Sequence, residues 1–423
     1  MTGGSGGAAA PELGLLVVWP GARAVHEGIV ARARELLDVR RVYAVHWSPG
    51  LVADNCARLQ RTGLVPPAAA FPRQRAVDPL LLVTVADSRP RHVTSRGGVQ
   101  VNARLLDATH EIRASAEGTR VHASATAREA ARDLMLLLGT AARTHLEQNP
   151  HPWDGRIEEI HRDLSGARGW STPTELFHTL NHTVRYVVLR NFESLPHSLH
   201  VGSHEDVDLL TDDYPGLIRV MNARPHVRCI PRWGGPHWVR IAGEDLWFDL
   251  RFVGDRYYDP KWAREILDRR QWNAGGFFTP SVEDYFESLA YHSVVHKSAV
   301  SADYRHRLAA MASALGRSGW EASALGDPAR VEVLLGEILR RRGCRYRKPR
   351  DVNVFFNFAA TGHRWPHLRR KLAGLFRKAV RIAYRLRRRP GARYWGAAGP
   401  GPTAPAAGGS APPPAPQARR PAA

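Results

Sequence analysis

An apolar run, Tyr186-Val187-Val188-Leu189, ends at Arg190-Asn191. A polar stretch containing Pro196 and Gly202-Ser203 follows, and a second apolar run then carries two acids, Asp206-Val207-Asp208-Leu209-Leu210. Residues two apart on a strand share a face. A strand here therefore sets Asp206 and Asp208 side by side and turns Val207 and Leu209 toward a core. Adjacent carboxylates repel, and one is driven toward protonation unless a cation lies between them. A hard divalent ion with oxygen ligands is the ordinary solution, Mg²⁺ being the usual one beside phosphates and Mn²⁺ its substitute.

A third acid fits the same picture. Leu246 to Phe252 reads as a strand with Asp249 and Arg251 on one face. If it lies beside the Asp206/Asp208 strand, three carboxylates and a guanidinium meet at one sheet edge. Such a set suits in-line displacement at phosphorus, with Arg251 available for a phosphate. The plainer alternatives are a chance Asp-x-Asp on an acidic edge strand or a Ca²⁺-binding turn.

An Asp-h-Asp strand (h apolar) followed by a third Asp on a later strand resembles the nucleotidyltransferase fold of the DNA polymerase-β superfamily. The resemblance spans roughly residues 170–310. It is nearest to bacterial nucleotidyltransferase-like proteins of surface-polysaccharide gene clusters, and more distant from LicD-type phosphotransferases. Arg190-Asn191 stands where many members carry a Gly-rich or Lys-Gly turn, and Gly202-Ser203 lies unusually close to the paired acids. The resemblance implies a transferase in which Asp206, Asp208 and Asp249 are catalytic and hold Mg²⁺ or Mn²⁺. The donor would be a nucleotide or CDP-alcohol, and the acceptor a saccharide or lipid-linked glycan. Two other readings stay open: a nucleotidyltransferase acting on RNA, and a non-catalytic binding protein on the same fold.

Candidate substrate-binding residues surround these acids: Arg190, Asn191, Ser203, His204 and Arg251. Asp255 and Tyr258 follow in Gly254-Asp-Arg-Tyr-Tyr-Asp-Pro260, which could equally be simple turn chemistry. In the helical stretch 283–298, His292 and His296 stand at metal-ligand spacing. No Glu follows His292, so the HExxH pattern fails. A core histidine pair competes there with a role for His292, His296 or Lys297 in orienting phosphate.

The chain has 423 residues, a 43% hydrophobic content and a net charge of +20. That length suggests two or three domains, and that charge suggests affinity for polyanions. Cys56, Cys229 and Cys344 are too scattered for a zinc ribbon or disulfide framework. No secretory leader pattern opens the chain and no run is long enough to span a bilayer, so a cytoplasmic protein is expected, with the basic segment 368–389 as its means of reaching the inner face of the membrane.

The expected fold class is α/β (α+β). Residues 1–12 read as disordered and 13–147 as an N-terminal α/β domain without an evident activity. Residues 170–310 form the central mixed sheet with flanking helices, and 311–360 a helical extension. Within the first domain, 13–19 and 42–47 read as strands, 78–85 is the most apolar run, 25–37 and 55–62 read as helices, and 95–114 as loop and amphipathic strand. Thr126-Ala-Arg-Glu129 is a capping box opening a helix to Leu138, with His122 and Ser124 as candidate phosphate contacts beside it. Residues 148–156 look like a boundary. Thr172-Pro173 opens the helix before the catalytic strands. Residues 232–237 read as a turn whose glycines favour hairpin geometry, 238–242 and 246–252 as the hairpin's strands, and 272–279 as loop.

Beyond Pro349, residues 361–390 form a basic amphipathic helix. Leu368, Leu372, Leu375 and Ile382 recur at helical spacing, and arginines and lysines fill the other face without an acid. Such a helix over 368–389 suits an anionic membrane surface, while the lack of an aromatic-rich basic face ranks nucleic acid second. Residues 391–423, rich in Pro, Ala and Gly, have too little apolar surface to fold.

Overall fold

The computed structural model describes residues 11–19, 26–59, 79–95, 98–115, 121–197, 206–226, 229–358 and 360–361. Ser203, His204, the basic 368–389 segment and the 391–423 tail lie outside these residues. The protein is a mixed α/β fold with parallel and antiparallel pairing in both large sheets. Among the described residues no helix is long and apolar enough to cross a membrane.

The first sheet begins with β1 (Glu12–Val18), α1 (His26–Leu36), β2 (Asp38–His46) and α2 (Val52–Leu59), followed by β3 (Leu80–Asp87). The short pair β4 (His92–Thr94) and β5 (Gln100–Asn102) leads into α3 (Ala103–Ser115). Then come β6 (Val121–Ala123), α4 (Ala127–Leu138), α5 (Ala142–Gln148) and β7 (Ile157–His161). The strand order is β6-β1-β3-β2-β7, so β3 is inserted antiparallel between β1 and β2. β1, α1 and β2 form a crossover unit, as the strand-helix-strand pattern predicts, but split by one strand.

Alternation along β1 divides the packing. Leu16 and Val18 face Ile29 and Ala33 of α1 and Ile112 of α3. Leu13, Leu15 and Val17 face Leu134 and Leu137 of α4 in a core that continues into the second half of the chain. Two sequence readings change here. Residues 103–115 are helical rather than strand, because Leu105, Ala108 and Ile112 recur at helical spacing and bury one stripe. Beyond the 148–156 boundary, β7 still pairs in parallel with β2, so the first sheet extends to His161.

The second half starts with α6 (Pro173–Thr183), β8 (Tyr186–Arg190), β9 (Asp206–Thr211), α7 (Tyr214–Met221) and β10 (Arg224–Pro225). It continues through β11 (Gly235–Ile241), β12 (Glu244–Phe252), α8 (Pro260–Asp268), β13 (Gln271–Asn273) and β14 (Phe277–Thr279). The helices α9 (Val282–Val295), α10 (Ala302–Ala314) and α11 (Pro328–Arg342) complete it. Both predicted caps form: Thr126 and Thr172 accept the backbone N–H of Glu129 and Glu175, each at 3.1 Å. The sheet order is β10-β11-β12-β9-β8, with β12 parallel to β9.

Tyr186, Val188, Val207, Leu209, Phe248 and Leu250 face α6 and α7 on one side of this sheet. Val187, Leu189 and Leu210 face α8 and α9 on the other. The hairpin turn is Ala242-Gly243, not 232–237. Both residues have positive φ, 52° and 84°, which suits a two-residue turn between twisted strands. β11 accordingly starts at Gly235, and the 272–279 loop is itself a small hairpin, β13 against β14.

The halves are tied by buried polar contacts. Arg58 of α2, 2% exposed, donates to the carbonyls of Ser165, Arg219 and Val220 at 2.7–2.9 Å. The last two end α7, where a cation is favourable. Trp170, also 2% exposed, donates to Met221 O at 2.9 Å. Its ring lies where a Cβ on Gly166 would stand, 2.4 Å away, and Gly166 has φ 68°, so only glycine fits there.

Candidate functional site

Parallel pairing of β9 with β12 places Trp247 against Asp206, Asp249 against Asp208 and Arg251 against Leu210. Alternation then turns Asp206, Asp208, Asp249 and Arg251 to one face, toward α9. One oxygen from each of Asp206, Asp208 and Asp249 lies within 4.8 Å of the others. The three acids read from two separate strands therefore do meet.

Two arginines hold Asp208 and Asp249. The β8–β9 ladder is irregular between Val188 and Arg190, and such a bulge re-aims a side chain. Arg190 donates to Asp208 Oδ1 at 2.5 Å and to Tyr257 Oη at 3.0 Å. Arg251 donates through Nε and Nη2 to Asp249 Oδ2, at 3.0 and 2.7 Å, and through Nη1 to Asp351 Oδ2 at 3.1 Å. Tyr257 stands between the arginines. Its hydroxyl accepts from Arg190 and shares a hydrogen bond with His292 Nδ1 at 2.6 Å, and its ring lies 4.6 Å from the Arg251 guanidinium.

Burial pushes the Asp208 carboxyl well above the usual carboxylate range. Arg190 pulls it back, while Asp206 and Asp249 push it further up. Four acids, Asp206, Asp208, Asp249 and Asp351, stand against the two guanidinium groups paired with them, so the cluster is richer in acids than in bound cations. Asp249 Oδ1 is buried with no hydrogen-bond partner. An all-oxygen set of this charge, with one oxygen free, fits a hard divalent cation. Asp206, Asp208 and Asp249 are the residues that could hold it.

The acids open into a cavity of about 430 Å³, also lined by Asn191, His292, His296, Lys297 and Tyr304. Asn191, with φ 57°, ends β8 in the left-handed conformation. Burial, then Arg190, holds both histidines well below their usual pKa, so both are neutral. Asp255 and Tyr258 do not line this cavity. Asp255 accepts the backbone N–H groups of Phe252 and Tyr257, at 3.3 and 2.7 Å, and so organises the turn beneath Arg251. Burial raises its pKa to about 6. Tyr258 packs between Trp262 and Tyr291 in the core.

Asp351, Asn353, Val354 and Phe355 line the same cavity, so part of the 311–360 extension belongs to the site. Its only sequence signal is an acid and an amide in a turn, Asp351-Val-Asn353, a hundred residues after Arg251. Tyr304 and Trp247 were also not singled out in the sequence.

Two other features compete for attention. A larger cleft of about 860 Å³ lies on the first sheet, lined by Leu13, Ala86, Ala131 and Leu146, but it is mostly apolar. His122, Glu129 and Asp133 also cluster. There Arg132 donates to Asp133 Oδ1 at 2.8 and 2.6 Å, and Glu129 accepts Ala125 N–H, so the protein meets much of that charge itself. Ser124 accepts Leu15 N–H at 3.0 Å, which gives it a structural partner in place of a phosphate. Compared with protein-family models, with curated proteins and with solved structures, the chain finds no match.

Proposed function

We propose that the pocket between β9, β12 and α9 binds Mg²⁺ or Mn²⁺ and transfers a nucleotidyl or phosphoalcohol group to a hydroxyl of a saccharide or lipid-linked glycan, in the assembly of cell-surface polysaccharide at the inner face of the membrane. One observation carries this reading. Asp206, Asp208 and Asp249 converge within 4.8 Å beside a buried carboxylate oxygen that has no partner.

When bound, a divalent cation held by Asp206, Asp208 and Asp249 would offset charge developing at phosphorus. The chain supplies the rest. Arg190 fixes Asp208 and Arg251 fixes Asp249, so two of the ligands are positioned in advance. Both guanidinium groups are thereby committed to carboxylates, which leaves Lys297 as the cation on the cavity wall best placed for a phosphate oxygen. The nonpolar packing of Tyr257, Tyr258 and Tyr291 behind the acids lowers the local dielectric and strengthens each charge interaction.

The decisive experiment screens CTP, CDP-alcohols, ATP, UTP and GTP with Mg²⁺ or Mn²⁺, comparing the natural protein with Asp206→Ala. Metal-dependent turnover that disappears in the variant supports the reading. Equal turnover in both proteins removes Asp206 from the site.

A further inference from the structure

His296 follows the last turn of α9, its backbone N–H bonded to His292 O at 3.0 Å. The side chain is 4% exposed and wedged among rings, with centroids at 4.0 Å from Tyr257, 5.3 Å from Tyr291 and 5.8 Å from His292. It nevertheless lines the acid-bearing cavity. Neither Nδ1 nor Nε2 has a hydrogen-bond partner, whereas buried polar groups in folded proteins are nearly always paired. His292, one turn earlier, differs in this respect, because its Nδ1 is met by Tyr257 at 2.6 Å. The two histidines read as one i, i+4 pair therefore do different work.

The charges around His296 narrow what could pair with it. Burial disfavours the imidazolium, and Arg190, Arg251 and Lys297 add to that. A neutral imidazole offers one donor and one acceptor. A phosphate oxygen satisfies only the donor, and a metal ion only the acceptor. A hydroxyl satisfies either nitrogen, and neighbouring hydroxyls satisfy both.

We propose that His296 binds a hydroxyl of the substrate, so that the cavity receives a polyhydroxylated group, a ribose or an open-chain polyol, next to the cation. This rests on the cation reading above. The hydroxyl has two sources, the donor nucleotide and the acceptor, and the test separates them.

The full chain is compared with His296→Phe, which keeps a ring among the tyrosines without its nitrogens, and with His296→Gln, which keeps a donor and an acceptor. Circular dichroism checks that each variant is folded. Mn²⁺ is titrated first, by electron paramagnetic resonance. Binding is then measured for two pairs with Mn²⁺ present: CTP against 2′,3′-dideoxy-CTP, and glycerol 3-phosphate against propyl phosphate. The natural protein should prefer the hydroxylated member of at least one pair by about tenfold or more, as expected of a site built around a hydroxyl. The pair showing the preference identifies the source. In His296→Phe the preference should fall to about one, and in His296→Gln it should survive in part, with Mn²⁺ affinity unchanged. Discrimination retained by His296→Phe overturns the proposal, as does a natural protein that binds Mn²⁺ but prefers neither hydroxylated ligand. A natural protein that binds no Mn²⁺ sinks the cation reading and this proposal with it, at a stage before any ligand is added.

Discussion

Asp249 lies directly across from Asp208 in the parallel pairing of β9 with β12, and each acid is gripped by its own arginine, Arg251 and Arg190. Asp206 is the exception, since no ion pair to it is found among the described residues. Its carboxylate contributes charge to the cluster without holding the fold together.

Asp206→Asn is therefore expected to leave stability within about 0.5 kcal/mol of the natural protein while weakening Mn²⁺ binding at least roughly tenfold, about 1.4 kcal/mol. Thermal unfolding with and without Mn²⁺ measures both at once, because a ligand that binds only the folded state raises the midpoint. An equal metal-induced rise in both proteins would contradict this.

Arg190 should behave oppositely. Arg190→Met leaves Asp208 buried without its partner, and breaking a buried pair from one side costs about 3–5 kcal/mol. Arg190→Met with Asp208→Leu removes both charges and is expected to recover most of that loss. Urea unfolding of the two single variants and the double variant gives the coupling, and simple additivity would show that the pair acts independently.

These two roles were unequally legible. The Asp-x-Asp pattern and the third acid show in the sequence because strand alternation is local, and parallel neighbours bring the acids level. In the sequence Arg190 reads as a substrate-binding residue. Its commitment to Asp208 depends on a one-residue irregularity in the ladder, which no pattern of apolar residues signals. Asp255 and Tyr258 stay open between pocket and turn in the sequence for a related reason: a Gly-Asp turn looks alike whether its acid faces a cavity or caps backbone N–H groups beneath a site, and the structure shows the turn. Residues 103–115 read as strand because their helical stripe is short and follows a real strand of three residues. Thr126 and Thr172 are legible because a helix start is signalled within four residues, by Glu129 in the first case and by Pro173 in the second.

Arg58 gives a test of how the two sheets are joined. Arg58→Met keeps much of the volume but strips donors from the carbonyls of Ser165, Arg219 and Val220. Leaving such groups unsatisfied costs about 1–3 kcal/mol. The expected result is a lower unfolding midpoint with Mn²⁺ affinity retained. Unchanged stability would mean that the contact is not structural.

His145 should make stability depend on pH. Burial, then Arg41, lowers its pKa to about 4 from 6.5, and its Nε2 meets Thr84 Oγ1 at 3.1 Å. The unfolded chain takes up its proton near pH 6.5 and the folded chain only near pH 4. The folded state thus gains stability from this group above pH 6.5 and loses it as the pH falls toward 4. His145→Gln cannot titrate, so its stability should fall less over that interval, by on the order of 2 kcal/mol. Denaturant unfolding at pH 7 and pH 4.5 reads the difference, and parallel losses in both proteins would exclude His145 as the sensor.

The second carboxylate on Arg251 arrives from Asp351, a hundred positions later in the chain. During synthesis the three-acid strands leave the ribosome long before that partner does. Until the stretch beyond α11 has emerged, Arg251 lacks one of its two direct ion pairs, and the wall formed by Asn353 and Phe355 is missing. Completion of the pocket is thus timed by the far end of the polypeptide, and a nascent chain stalled before Asp351 would carry its acids in an unfinished setting.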